Sequence, residues 1–263
     1  MSIWLGRIGA NAIGKLRIHS DTAAIVWGVF CAAFRRDTWP RTVRNVFARQ
    51  ILFTGYEASR FIALLAVMVG ISVVVQMQVW LARVGQTGLL GPVLVMVIVR
   101  ELGPLLVNFI VLGRSGTAMA TELGNMKVAG EVNVLDAQGL DPFIYLVVPR
   151  VLGMAISVFC LTIIFIIVSF FSGYLIGLLL GANPGPFVLF VESVFRAVSP
   201  QDVVNVLVKT FIPGAMTGVI CCMEGLSVEA SITEVPQVMT RAVVRSVGAL
   251  FVVSAIMSIL TYV

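Results

Sequence analysis

The sequence predicts an all-α integral membrane protein: about five transmembrane helices, an N-terminal interfacial amphipathic helix before them, and a cytoplasmic helix between spans 2 and 3. Three observations predict it. Of the 263 residues, 59% are hydrophobic and 12% are charged, where a soluble domain carries ~25% charged residues. The mean hydropathy is +1.03, the range of membrane chains. The apolar residues are gathered into runs of the length, about 20 residues, that an α-helix needs to cross the hydrocarbon core.

Residues 1–60 read as a basic, amphipathic N-terminal segment and residues 61–263 as one membrane domain. In the first, Thr22–Phe34 is an apolar run of 13 residues with Lys15, Arg17, Arg35 and Arg36 at its flanks. It is too short to cross and suits a helix lying in the interface. The stretch Arg41–Arg60 spaces Arg41, Arg44, Arg49 and Arg60 among apolar residues and reads as an amphipathic lead-in to the first span. There is no compact signal sequence, so this segment is expected to remain on the cytosolic face.

The spans follow as Phe61–Leu81, Leu89–Leu112, Tyr145–Leu180, Val203–Met223 and Ala242–Val263. The third exceeds one straight crossing and is expected to tilt, kink near Gly173 or project beyond the bilayer. Gly173, Gly177 and Gly181 recur along it every four residues, a stripe that admits another helix closely, either inside the bundle or at a homodimer seam. Lys and Arg alternate in density between loops: nine lie in residues 1–60, Arg83 alone follows span 1, Arg114, Lys127 and Arg150 follow span 2, Arg196 alone follows span 3, and Arg241 and Arg245 follow span 4. The positive-inside rule then puts the N-terminus in the cytoplasm and the C-terminus outside.

Cys31, Cys160, Cys221 and Cys222 form no C-x-x-C and read as small buried hydrophobes. His19 is the one histidine, which excludes a His-based metal site. No catalytic residue is expected: the spans offer neither a nucleophile–base pair nor a metal cluster.

Arg100 and Glu101 are the only charges in Leu89–Leu112. An arginine at the centre of a span costs about 2.5–3.5 kcal/mol on insertion scales, so it must face protein, water or ligand. Adjacent residues point about 100° apart on a helix, which gives each its own neighbour. Lys209 in span 4 is the expected partner of Glu101, leaving Arg100 to meet an anion, with Gln76 and Gln78 lining the same cavity. Gly103-Pro104 weakens the helix at this level. One reading is a structural ion network; the sharper one is a substrate cavity formed by Arg100, Glu101, Lys209, Gln76 and Gln78 for an anionic amphiphile. An alternative is a proton-coupled secondary transporter working through Glu101.

Between spans 2 and 3, Met126, Val128, Val132 and Leu135 stand at helical spacing among Glu122, Lys127, Glu131 and Asp136, ended by Gly139 and Asp141-Pro142. This is an amphipathic helix, either a surface connection or a dock for a soluble partner.

The stretches "RELGP" (Arg100–Pro104), "GRSG" (Gly113–Gly116) and "TELGNMKV" followed by "LDPFIYLVVPRVL" resemble the MlaE/YrbE-type permeases of Mce-associated lipid ABC transporters. The similarity runs from about residue 41 to the C-terminus. It departs at Gly130-Glu131, where the family reads Glu-Gln. The resemblance implies a homodimeric permease subunit in a cell inner membrane that moves phospholipid or another hydrophobic lipid. Its coupling segment, 114–142, would seat Glu122, Gly124, Met126, Lys127, Glu131, Leu135 and Asp141 against a cytoplasmic ABC ATPase. An Mce-domain protein would stand on the opposite face, and no nucleic acid is involved. The chain has no G-x-x-x-x-G-K-[ST] phosphate loop, so no cofactor is expected here and ATP would be bound by the partner.

Overall fold

A computed structural model describes residues 22, 24–35, 38–86, 89–179, 186–229 and 231–262, and these contain helices and no strand. The helices are α1 (Ala24–Ala33), α2 (Arg41–Val84), α3 (Leu90–Val128), α4 (Glu131–Ala137), α5 (Phe143–Leu179), α6 (Phe187–Ala197), α7 (Pro200–Leu226) and α8 (Val235–Tyr262). Five of them, α2, α3, α5, α7 and α8, are long and apolar enough to cross a membrane, which matches the five expected spans.

The helices extend further than the apolar runs. α2 has 44 residues, roughly 66 Å at 1.5 Å per residue. The amphipathic lead-in is therefore the first turns of the span 1 helix, and the boundary placed at residue 60 falls inside it. α1 occupies the run expected to lie in the interface. Its Val29 is buried in a cluster with Leu123, Val132, Leu146 and Val151, while Trp27 faces outward.

The amphipathic helix expected to carry Met126, Val128, Val132 and Leu135 between spans 2 and 3 is divided at Ala129-Gly130. Span 2 continues unbroken to Val128 because its last turns are buried against α7 and α8. Met119, Ala120 and Leu123 are buried, and a Cβ on Gly124 would already touch Val228 and Val235 at 3.4 Å. Gly130, with φ +77°, then ends α3. A left-handed residue there costs a non-glycine side chain about 1–2 kcal/mol. α4 is a new helix of only 7 residues, ended by Gly139 as the sequence predicts.

α5 runs as regular helix from Val148 through Gly173 to Leu179, without a break at Gly173. Gly173 and Gly177 face α2: a Cβ on the first would overlap Val74, and on the second Gln78. Gly70 of α2 answers from the other side, against the Ser169 carbonyl. The small-residue stripe is thus a seam inside the bundle; Gly181 lies outside the described residues. Ser169 also donates to the Ala66 carbonyl across this seam (3.1 Å). Such close approach matters because lipid is as apolar as a leucine, so packing rather than exclusion from water holds membrane helices together.

α6 lies where only a loop was expected. Its 11 residues are too few to cross; Phe190 and Val194 are buried, and Gly91 leaves room for the Ser193 backbone. Cys221 and Cys222 are buried, but Cys31 and Cys160 are exposed. An apolar thiol on a membrane helix needs no protein cover.

Candidate functional site

Arg100 and Glu101 sit in a widened, π-helical stretch of α3, Val95–Leu102. Single π turns inside α-helices occur often at functional sites. Pro104 follows after Gly103. It has no N–H to give to the carbonyl four residues back, that of Arg100. The Lys209 ammonium, from α7, donates to that carbonyl instead (3.0 Å).

Lys209 also meets Glu101 at 2.7 Å and the Ser258 hydroxyl at 2.7 Å, and Ser258 lies 2.7 Å from the same carboxylate oxygen. The Lys209 side chain is 1% exposed and that of Glu101 43%. The expected Glu101–Lys209 contact is therefore present, with a third member on α8. Asn108, one turn after Pro104, donates to the Pro104 carbonyl (2.8 Å) and to the Lys209 carbonyl (3.2 Å), which ties α3 to α7 again.

Arg100 is not left to meet an outside anion. Its Nε lies 2.7 Å from Asp202, which is fully buried, and its Nη2 donates to the same carboxylate (3.2 Å). Asp202 also accepts from the Ser199 N–H (2.9 Å) and hydroxyl (3.0 Å), closing a capping box at the start of α7. The sequence reading missed Asp202. Its signal was Ser199-Pro200-Gln201-Asp202, the S/T-x-x-D/E pattern ahead of an apolar run. Two cations and two anions thus balance across α3 and α7.

Gln76 and Gln78 are not brought to this cluster. Gln78 is buried on the α2–α5 seam against Gly177. Gln76 is exposed and donates to Ser72 (3.4 Å).

An apolar pocket of about 400 Å³ lies between α3, α5 and α6. Val99, Phe170, Phe171, Phe190, Phe195 and Val198 are among its walls. Val99 precedes Arg100 and Val198 precedes Ser199 in the chain, while Arg100 and Asp202 themselves are not among the pocket walls. The pocket falls within the range of about 300–1,000 Å³ usual for small-molecule sites.

The residues expected to couple share the α4 end of the bundle but are spread over several elements. Glu122 of α3 pairs with buried Arg150 of α5 (2.8 Å). Gly124 is a packing position against Val228 and Val235. Met126 and Leu135 pack on the cluster that holds Val132, and Lys127 is half-buried. Glu131 and Asp141 are exposed; Asp141 accepts from the Phe143 N–H (2.9 Å) and so caps α5. Glu224 and Arg245 join α7 to α8 at the same end. Arg114 joins α3 to α2, donating to the Phe53 carbonyl (3.0 Å) and to Glu57 (2.9 Å).

A family model described as Permease MlaE matches residues 47–260. The chain belongs to the MlaE permease family. That family match takes in α3, α5, α7 and the clusters just described. A probable ABC transporter permease protein of Rickettsia conorii is 30% identical over 239 residues, 90% of this chain and 91% of that protein. The chloroplastic protein TRIGALACTOSYLDIACYLGLYCEROL 1 of Arabidopsis thaliana is 31% identical over 211 residues, 80% of this chain and 59% of that one. The intermembrane phospholipid transport system permease protein MlaE of Haemophilus influenzae is 26% identical over 218 residues, 81% of this chain and 82% of that protein.

Proposed function

We propose that this MlaE-family permease is the membrane subunit of an ABC transporter that carries phospholipid or a related lipid between membranes. A separate cytoplasmic ATPase binds ATP and seats on the α4 end. An Mce-domain protein stands at the α6 end, and two copies of the chain work together in an inner membrane, with the N-terminus cytoplasmic and the C-terminus periplasmic. The observation that carries this reading is the apolar pocket between α3, α5 and α6, two of whose wall residues, Val99 and Val198, are next in sequence to Arg100 and Ser199. A lipid has an oily tail and a polar head, and it needs both surfaces side by side. The similarity to a phospholipid transport permease supports the same substrate class, and that to a probable ABC transporter permease supports the ATP-driven assembly.

In physical terms, the tail occupies the aromatic pocket while the headgroup lies near two charge pairs whose sum is zero. Such a site suits a zwitterionic head as readily as an anionic one, because neither pair is a bare cation. ATP-driven closure of the partner acts on α4, a short exposed helix joined to α3 through Gly130. Helix α3 continues without interruption from there to Arg100 and Glu101, so a push at one end displaces the walls of the pocket at the other. The Lys209–Glu101 contact speaks against a free proton-carrying carboxylate.

The test is lipid transfer by the purified complex, with ATP turnover measured alongside. Ile167→Trp fills the pocket from α5 and is expected to slow transfer severalfold while the ATPase still co-purifies. Unchanged transfer by this variant sinks the pocket assignment, and absence of any co-purifying ATPase sinks the ABC assignment.

A further inference from the structure

A second cavity, polar and about 250 Å³, opens at the α4 end. Thr42, Asn45 and Arg49 of α2 line one side; Glu122 of α3 and Tyr145 and Arg150 of α5 line the other. Measured along α5, Arg150 and Ile167 are about 25 Å apart at 1.5 Å per residue, so this cavity is far from the apolar pocket.

The Arg150 side chain is 7% exposed and donates to Glu122 (2.8 Å) and to the Leu146 carbonyl (3.0 Å). A guanidinium has five N–H donors, so these bonds leave others to face the cavity. Arg49 stands exposed at the rim and forms no ion pair among the described residues. Two guanidinium groups and one carboxylate give the wall one net positive charge. A phosphodiester carries one negative charge.

The cavity also stands at the right depth for a lipid head. Outward-facing apolar side chains on α2 appear from Leu52 (59% exposed) and Tyr56 (66%), interleaved with exposed Glu57 and Arg60, so Arg49 lies on the polar side of a mixed belt ahead of the span. Trp39, which donates to the Ala33 carbonyl (2.8 Å) and packs edge-on against Phe47, sits at the same end. Tryptophan and tyrosine gather at the headgroup level. Arg41 and Arg44, exposed on the same helix, add to the positive field.

The geometry points to a binding site for the headgroup phosphate of an anionic phospholipid, held between α2 and α5 by Arg49 and Arg150 with Tyr145 and Asn45 as further donors. Basic pockets between membrane helices hold anionic headgroups in this way. The lipid bound here is a resident of the surrounding leaflet that braces α2 against α5; it is not the transported molecule. The site goes beyond the proposed transport activity and is tested without it.

The full chain is reconstituted in phosphatidylcholine vesicles with added phosphatidylglycerol, extracted, and its retained lipids are counted by native mass spectrometry. Phosphatidylglycerol is expected to be retained over phosphatidylcholine, and Arg49→Gln to reduce that retention about fivefold. Arg196→Gln, at an exposed residue of α6 paired with Glu192, is expected to leave it unchanged. In a second arm, inorganic phosphate is added to pure phosphatidylcholine vesicles and thermal stability is followed. Protection by phosphate equal to that by phosphatidylglycerol would reassign the site to a free anion and overturn the lipid assignment. Equal retention by the native chain and Arg49→Gln, or an equal loss in Arg196→Gln, overturns it as well.

Discussion

Asp202, wholly buried at the start of α7, holds the Arg100 guanidinium of α3 at 2.7 Å. The pair therefore ties two spans together. Residues in one ion-pair network show coupling energies of about 0.5–3 kcal/mol. Arg100 is 26% exposed, which favours the lower half of that range. A double-mutant cycle with Arg100→Ala and Asp202→Ala, read by unfolding in detergent, is expected to return a favourable coupling near 1 kcal/mol. A coupling of zero removes the pair from the structural account.

The second pair is asymmetric, and so are its variants. Removing Glu101 leaves a Lys209 ammonium that is 1% exposed, with the Arg100 carbonyl and the Ser258 hydroxyl as its remaining hydrogen-bond partners among the described residues. Removing Lys209 leaves a carboxylate that is 43% exposed and still accepts from the Ser258 hydroxyl. Glu101→Ala is expected to lower stability more than Lys209→Met, by about 1–3 kcal/mol. The double variant Glu101→Leu with Lys209→Met is expected to recover most of the loss, since a buried pair replaced by apolar groups is often near neutral. Thermal unfolding of the four proteins in one detergent decides the order.

The α2–α5 seam tolerates no added atom at Gly173. Gly173→Ala is expected to cost about 1–3 kcal/mol, as overpacking does, because its Cβ would overlap Val74. Gly113→Ala, where a Cβ meets nothing within 4 Å, is the control and is expected to be close to neutral. If Gly173→Ala retains full stability but loses its oligomeric state, the stripe serves a seam between copies instead.

Gly130 sets where α3 stops. Gly130→Ala is expected to cost about 1–2 kcal/mol for the left-handed backbone. It also favours a fusion of α3 with α4, which would re-aim Glu131 and Leu135. ATP turnover by the complex is expected to fall or to lose its dependence on lipid, while Gly130→Asn, which tolerates φ > 0 better, keeps most of it. Normal coupling in Gly130→Ala would show that the α3–α4 break plays no part.

Much of this was legible in the chain because the signals are local. The Glu101–Lys209 contact was legible too, since a buried cation needs an anion and few were on offer. Asp202 was harder to see. It precedes the apolar core of span 4 and reads as an ordinary cap, and nothing local says that a cap 102 residues from Arg100 also serves as its counter-ion. α6 was missed for a related reason: its 11 residues are apolar enough for a membrane helix but half the length of one.

The sequence by itself determined five crossings and the turn at Gly139, because a run of about 20 apolar residues and a glycine ending a helix act through neighbours in the chain. Only the tertiary structure decided that Arg100 is neutralised by Asp202, that span 2 continues to Val128, and that Gly173 and Gly177 face α2. Those outcomes depend on which surfaces meet once the helices pack. A charge in a low-dielectric interior takes the opposite charge that folding brings within reach, whatever the distance along the chain.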